Sequence, residues 1–486
     1  MSNGQKNGVT GGEEETLDRI SQLPDALLVK ILSLLPTEDA VASCVLSKSW
    51  SYLWTSIYNF LFVAETFKTA ENFISFVDHV LTHSTCSKIK KFQHDFHHID
   101  WEFDSKISQW LSFAAENKVE NVLLLNSHDD KDLTFELPRS LCTCSSLIML
   151  RLSHWVFDKE RIMAWNSLKS LKLYSTELDD EDIVILLSSC PALETLELSM
   201  FGGFRCLEIN SSNLKRLNLR TCSCEGHGVL EIFAPHLQHL ELTGDFGYLE
   251  CRPVNVSSLV TASLTFKVCC FNLDEVVDEE ENCREFHQVF RNLVLDYLQK
   301  LTYATELIIG SWFAKQRIAG CKTEKRIKPS ESITVMKFCC VHVATQRSAT
   351  SRVEMKMSNT RDAYESGDFN CQIEQSYLAK GDTLNLQSWM SNIVFFNLKN
   401  VKFYCFMTNC LKGRLEEGND KLFELSEFLL KSTMALKKFV IVSETSSCRK
   451  CSEKCVSQYL SRLDKKLLDS PRSSRNLMIT YKESFA

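Results

Sequence analysis

Apolar residues recur along this chain in two rhythms, one helical and one of a longer repeat. The helical rhythm starts near Asp18. Leu27, Leu28, Ile31, Leu32 and Leu35 follow one another at spacings of three and four, which predicts one apolar helix face. Leu23-Pro24 opens this helix, because proline's missing N–H is no loss at the first helical position, and Pro36 ends it. Thr37 is expected to cap a second helix, with Glu38 and Asp39 matched to the positive end of its dipole and Val41, Val45 and Leu46 on its apolar side. Ser47 is expected to cap a third helix carrying Trp50, Leu53 and Trp54. The same rhythm predicts helices over 67–81 (Phe73, Phe76, Val77, Val80, Leu81), 107–115 (Trp110, Leu111, Ala114), 181–188, 286–301, 422–430 and 456–468.

The longer rhythm is the template L-x-x-L-x-L. It occurs at Leu147/Leu150/Leu152, Leu168/Leu171/Leu173, Leu193/Leu196/Leu198, Leu214/Leu217/Leu219 and Leu237/Leu240/Leu242, with successive starts 21, 25, 21 and 23 residues apart. A weaker copy follows at Leu259/Ala262/Leu264, and an earlier one is readable at Val119/Val122/Leu124. The period falls in the leucine-rich-repeat range of roughly 20–29 residues. Each unit is too small to bury its own face, so the units are expected to stack with the final L-x-L of each as a strand of a parallel sheet. The residues between the inward leucines then project from the sheet: Met149, Arg151 and Ser153; Ser170, Lys172 and Tyr174; Thr195, Glu197 and Ser199; Arg216, Asn218 and Arg220; His239, Glu241 and Thr243. Arg151, Lys172, Tyr174, Glu197, Asn218, Arg220 and Glu241 are the candidate contacts of a target on that face. Their mixed charges name no ligand, and for any single one a solvated strand position is the simpler reading. Strands are also expected at 306–309, from 398, at 438–442 and at 477–481.

Composition narrows the class. The 486 residues are 44% hydrophobic and 24% charged, an ordinary globular balance that leads to an expectation of two or three domains. A net charge of −7 argues against a nucleic-acid-binding or membrane-surface protein, and no apolar run is long enough to span a bilayer. The polar, glycine-rich and acidic start, 1–16, reads as a disordered tail and not as a targeting segment. With no secretory signal, the 21 cysteines are expected to be reduced thiols of a cytoplasmic or nuclear protein. The basic run 315–328 reads as a solvated loop, and 311–383 as an irregular connection.

Three short helices with this much leucine, isoleucine and tryptophan cannot bury all of it among themselves. Either they leave an apolar face for a partner, or they form a cap packed on the rest of the chain. At these residues the sequence resembles the F-box in its plant version: Leu23-Pro24, Ile31-Leu32, Leu35-Pro36, Val45-Leu46-Ser47-Lys48, Trp50 and Leu53-Trp54 stand where that motif has such residues. Ser49 departs from it, since an arginine is common there. The resemblance implies docking of a Skp-family adaptor, and through it a cullin-RING ubiquitin ligase, by Leu23, Pro24, Leu27, Ile31, Leu32, Leu35, Pro36, Val45, Leu46, Trp50, Leu53 and Trp54. The stretches FLLKSTMALKKFVI and LLDSPRSSRNLMI, within 384–481, resemble the FBD domain that ends many plant F-box/leucine-rich-repeat proteins.

The expected fold is therefore α/β: a three-helix F-box over 17–60, an irregular leucine-rich-repeat solenoid with a parallel sheet over 61–310, and a small α/β FBD-like domain over 384–483. Catalytic signatures are missing: the sequence has no P-loop, G-x-G-x-x-G, H-E-x-x-H or G-x-S-x-G. Cys448, Cys451 and Cys455 have ligand-like spacing without a fourth ligand nearby, and His94, His97 and His98 with Asp95 and Asp100 form a second loose cluster. Surface or loop residues are the simpler reading of both, so neither metal nor cofactor is expected. The resulting expectation is a non-catalytic adaptor that brings a target protein to a ubiquitin ligase. A leucine-rich scaffold outside any ligase, and a thiol enzyme using one activated cysteine, are the alternatives.

Overall fold

The computed structural model describes residues 20, 22–95, 104–125, 135–156, 163–223, 229–246, 250–267, 298–310, 393–407, 421–445, 454–474 and 477–484. The chain divides into two compact units, 1–153 with 160–164, and 154–159 with 165–486.

The first unit begins with α1 (Asp25–Leu32) and α2 (Thr37–Ala42). The third helix expected from Ser47 does not form. Residues 48–52 are turns, and the segment closes with a single 3-10 turn, Leu53–Ser56. Serine supplies the reason: the Ser47 and Ser49 hydroxyls bond each other at 2.7 Å and Ser51 Oγ donates to the Ser47 carbonyl, the local bonding that competes with a helix. Thr37 does not cap α2 either. Pro36 holds the cap position, and the buried Thr37 hydroxyl accepts the Leu61 N–H at 2.8 Å.

Beyond this module run β1 (Asn59–Val63), α3 (Ala70–His83), β2 (Lys91–Asp95), α4 (Asp104–Glu116), β3 (Asn121–Leu125), β4 (Phe135–Glu136), α5 (Arg139–Cys142) and β5 (Met149–Ser153). β1, β2, β3 and β5 form a parallel ladder, with Phe60, Phe92, Val122 and Leu150 in one aligned row and Phe62, His94, Leu124 and Leu152 in the next. All eight side chains are buried. Parallel neighbours need a crossover, and α3 and α4 supply two. They turn Phe73, Val77, Val80 and Leu81, and Ile107, Trp110, Leu111 and Ala114, into the core.

The second unit contains β6 (Trp155–Val156), β7 (Ser170–Tyr174), α6 (Asp180–Ser189), β8 (Thr195–Gly202), β9 (Cys206–Asn210), β10 (Arg216–Ser223), β11 (Val229–Phe233), β12 (His239–Asp245), β13 (Glu250–Asn255), β14 (Thr261–Lys267) and β15 (Glu306–Ile309), then β16 (Asn400–Met407), α7 (Lys421–Ser432), β17 (Lys438–Thr445), α8 (Lys454–Asp469) and β18 (Met478–Ser484). β7, β8, β10, β12, β14, β15, β16, β17 and β18 stack in that order as one parallel ladder. The predicted leucines line up across it: Leu171, Leu196, Leu217, Leu240 and Ala262, and beside them Leu173, Leu198, Leu219, Leu242 and Leu264, all buried.

The C-terminal stretch, expected as a small domain of its own, adds β16, β17 and β18 to this ladder. Its repeat is degenerate: Leu398/Val401/Phe403 and Leu436/Phe439/Ile441 occupy the template positions and are buried. The return segments of the repeats are not all alike. In three repeats they are strands, and β9, β11 and β13 form a second parallel sheet with Leu207, Leu230 and Cys251 in register and buried. With only two or three inward residues each, these strands leave too little alternation to read from sequence. The helix expected over 286–301 is described only at 298–300, and the tail 1–16, the basic run 315–328 and the connection 311–383 lie outside the described residues.

Candidate docking site

The one-face stripe read from α1 splits in two. Adjacent helical residues stand about 100° apart, so Leu28 and Leu32 turn inward while Leu27 and Ile31 turn out. Inward packing of Leu28 and Leu32 is joined by Ala40, Trp50, Leu53, Trp54 and Ile57, all buried, with the Trp54 ring stacked 6.1 Å from His79. Three hydrogen bonds tie this core to the strand that follows: Tyr58 N to Ser33 Oγ (3.3 Å), Asn59 Nδ2 to the Ser33 carbonyl (2.9 Å) and Leu61 N to Thr37 Oγ1. The module is thus a cap on one side.

Its other side is open. Leu23, Pro24, Leu27, Ile31, Leu35, Pro36, Val45 and Leu46, all expected contacts, are exposed, Val45 at 83% and Ile31 at 42%. Leu34 and Tyr52 join them, missed by the sequence reading because neither lies on the assumed stripe. Leu32, Trp50, Leu53 and Trp54 were expected to be contacts too, but the structure places them inside, Leu32 at 1% exposure. Exposed large apolar side chains in this number on a small module are what a partner surface would require. Closing each such side chain off from water is worth up to roughly 1.5–3 kcal/mol.

On the sheet of the second unit, alternate side chains project as expected. Lys172, Glu197, Asn218 and Glu241 occupy one aligned row, and Tyr174, Ser199, Arg220 and Thr243 the next. The candidate contacts largely satisfy one another: Lys172 Nζ meets Glu197 at 2.8 Å and Arg220 meets Glu241 at 3.4 Å. In the row before these, His239 stands beside Arg216, and partial burial, then the Arg216 charge, hold its pKa down. Tyr174 stays exposed, its ring 6.0 Å from His154. In the first unit Arg151 is exposed, whereas Ser153, expected to project, is buried. Ser175, just past β7, and Met200, Thr221 and Gly244, within β8, β10 and β12, each adopt positive φ, two residues beyond the second inward leucine of their repeats. Four consecutive repeats therefore make the same left-handed turn.

His94 belongs to the core and not to a metal site. It takes the second inward position of β2, stacks 5.3 Å from Trp110 and packs edge-on to Phe73; burial pushes its pKa down to about 3. His97, His98, Asp100, Cys448 and Cys451 lie outside the described residues, and among the described residues no three His, Cys, Asp or Glu converge as a metal would require. Among the described residues, the three thiols with a displaced pKa all move away from thiolate. Burial raises Cys86 and pushes Cys190 up to about 12, and burial followed by the nearby Glu208, Glu231 and Asp180 raises Cys206. An activated nucleophile needs the opposite shift.

Comparison with known proteins agrees with this geometry. The profile described as "F-box domain" matches residues 20–62, and the profile described as "FBD-associated F-box protein At5g56370, LRR repeats" matches 107–266. Relatives from Arabidopsis thaliana include the F-box/FBD/LRR-repeat protein At4g13965, 30% identical over 60% of this chain and 70% of that protein. The F-box/LRR-repeat protein At3g18150 is 28% identical over 89% of this chain and 88% of its own length. F-box/LRR-repeat protein 13 is 32% identical over 50% of this chain, which spans only about half (55%) of that relative.

Proposed function

The chain belongs to the F-box/FBD/LRR-repeat family, and from that premise we propose that it is the substrate-recognition subunit of an SCF-type ubiquitin ligase. Residues 20–62 dock a Skp-family adaptor, which brings the cullin and RING components. The projecting face of the repeat sheet, with Arg151, Lys172, Tyr174, Glu197, Asn218, Arg220 and Glu241 as first candidates, takes the target protein. Residues 384–483 act as the FBD portion. The work is done in the cytoplasm or nucleus; among the described residues no helix is long and apolar enough to cross a membrane.

The observation that supports this reading best is the open ridge of Leu27, Ile31, Leu34, Val45, Leu46 and Tyr52 on a module whose inner side is already filled. The chain supplies no chemistry in this scheme. A target lysine attacks the ubiquitin thioester held by the RING-bound enzyme, and tethering makes that attack effectively intramolecular. The decisive experiment is capture of a purified Skp-family adaptor by the full chain. Wild type retains it, and Val45→Asp/Leu46→Asp, a change confined to exposed residues, loses it. Equal capture by both proteins refutes the assignment and leaves the module as a cap on a leucine-rich scaffold, a reading that the hydrogen bonds Tyr58, Asn59 and Leu61 donate to Ser33 and Thr37 would favour.

A further inference from the structure

We propose that the rim formed by the starts of β16, β17 and β18 is a second docking surface, for an acidic peptide segment that also carries apolar side chains. The backbone fixes the juxtaposition. The Lys399 carbonyl accepts from both Lys437 N (2.8 Å) and Lys438 N (3.0 Å), and Met478 N donates to the Lys437 carbonyl at 3.0 Å. Asn400, Lys438 and Met478 are aligned across three neighbouring strands, which stand about 4.8 Å apart in a ladder. Lys399, Lys437 and Lys438 therefore crowd onto two adjacent strand starts, and all three are exposed.

None of the three forms an ion pair among the described residues, in contrast to other lysines of the ladder. Lys172 meets Glu197 on the next strand, and Lys215 meets Glu194 at 3.1 Å. The sole carboxylate in the aligned row Glu306, Asn400, Lys438, Met478 is Glu306, two strands from Lys438. In a chain of net charge −7, three cations on adjacent strands repel one another with no carboxylate paired to them among the described residues. An anionic partner removes that repulsion, and charge complementarity of this kind selects it.

Apolar residues specify the partner further. A parallel bridge joins Phe395 to Thr433, with Phe395 N donating to the Ser432 carbonyl at 2.9 Å. It places Phe396 beside Met434, exposed at 58% and 63%, and Met478, exposed at 64%, follows beside Lys438. Each of the first two precedes a lysine by three residues: Phe396 with Lys399, and Met434 with Lys437. Two parallel apolar-then-cationic columns fit an extended chain with apolar and acidic side chains. A nucleic acid would ask for a broader basic field than three lysines in an acidic protein. The surface stands on its own, whether or not the chain enters a ligase.

Fluorescence anisotropy of the full chain tests this with three labelled decapeptides: alternating Glu and Leu, alternating Gln and Leu, and alternating Glu and Ser. The Glu–Leu peptide is expected to bind, with affinity falling as salt rises. The other two peptides, and the Lys399→Glu/Lys437→Glu/Lys438→Glu variant with the Glu–Leu peptide, are expected to bind about tenfold more weakly or worse, the range that three exposed charge pairs supply. Phe396→Ser/Met434→Ser should weaken the same peptide while leaving the thermal melt in place. Equal binding of the Glu–Leu and Gln–Leu peptides, undiminished binding by the triple variant, or no peptide binding overturns the proposal. So does binding to phosphatidylserine vesicles in place of the peptides, which would assign the rim to an anionic membrane surface.

Discussion

Two neighbouring residues of α1 separate docking from folding. Ile31 is 42% exposed and Leu32 1%, although the sequence places both on one apolar stripe. For Ile31→Asp the structure predicts little damage to the module, since the new carboxylate stays hydrated in the free protein. In the complex it would be buried. Losing the unburied two fifths of the isoleucine surface costs about 1 kcal/mol, on the scale of roughly 1.5–3 kcal/mol for a whole side chain. Enclosing an unpaired carboxylate adds several kcal/mol more. Together they lower affinity for a Skp-family adaptor by about 1,000-fold, with each tenfold worth about 1.4 kcal/mol. Leu32→Asp instead puts a charge among Leu28, Trp50 and Trp54 and is expected to destabilise the module itself by about 4 kcal/mol or more. Calorimetric titration with the adaptor, with thermal melts of each free variant, reads both effects. Normal affinity in Ile31→Asp, or a melted module in Ile31→Asp beside an intact one in Leu32→Asp, would refute the assignment of inner and outer faces.

Other consequences are equally direct. At Gly244, φ is +86° and an added Cβ would run into the Thr221 hydroxyl and backbone; Gly244→Ala should cost about 2 kcal/mol in a thermal melt. Adding Thr221→Gly should recover part of that loss, since it removes both the hydroxyl and a β-branched residue held at positive φ. For His94 the folded pKa of about 3 lies below an unfolded value of about 6.5, so its contribution is complete above pH 6.5 and declines as pH falls toward 3. His94→Phe should flatten the stability profile across that window, as followed by denaturant melts at several pH values. Reversing one partner of the Lys172–Glu197 pair should cost about 0.5 kcal/mol, and exchanging both should restore it, as a double-mutant cycle would show.

The sequence by itself determined the repeating unit. An L-x-x-L-x-L spaced by 21 to 25 residues leaves few alternatives, because only a stack of such units in register buries leucines that no single unit can cover. It also determined the helices α3, α4, α6, α7 and α8, whose inward residues recur at three and four. It did not reveal the extent of the ladder within either unit. At Phe60/Phe62 and Phe92/His94, and again at Val401/Phe403 and Phe439/Ile441, the inward positions hold other residues than leucine, so the leucine template passes over them. A template of any apolar residue with the same spacing, starting at Ile57, Leu398 and Leu436, finds three of them, since burial asks for volume and not for leucine; the fourth, Ile89/Phe92/His94, escapes it because its last inward residue is a histidine.

Tertiary structure alone decided which apolar residues face a partner. A helical period groups Leu27, Leu28, Ile31 and Leu32 without saying where the chain's own core ends. That boundary is drawn by what packs against them: Trp50, Leu53, Trp54 and Ile57 arrive from elsewhere in the module and cover Leu28 and Leu32 but not Ile31 or Val45. Likewise a lysine written in sequence carries no sign of its neighbour. Lys172 is matched by Glu197 because strand register brings them together, and Lys399 and Lys437 are left to each other by the same register two hundred residues later. Contacts between distant segments have no local signature, so the surface a protein offers is set when its strands are aligned.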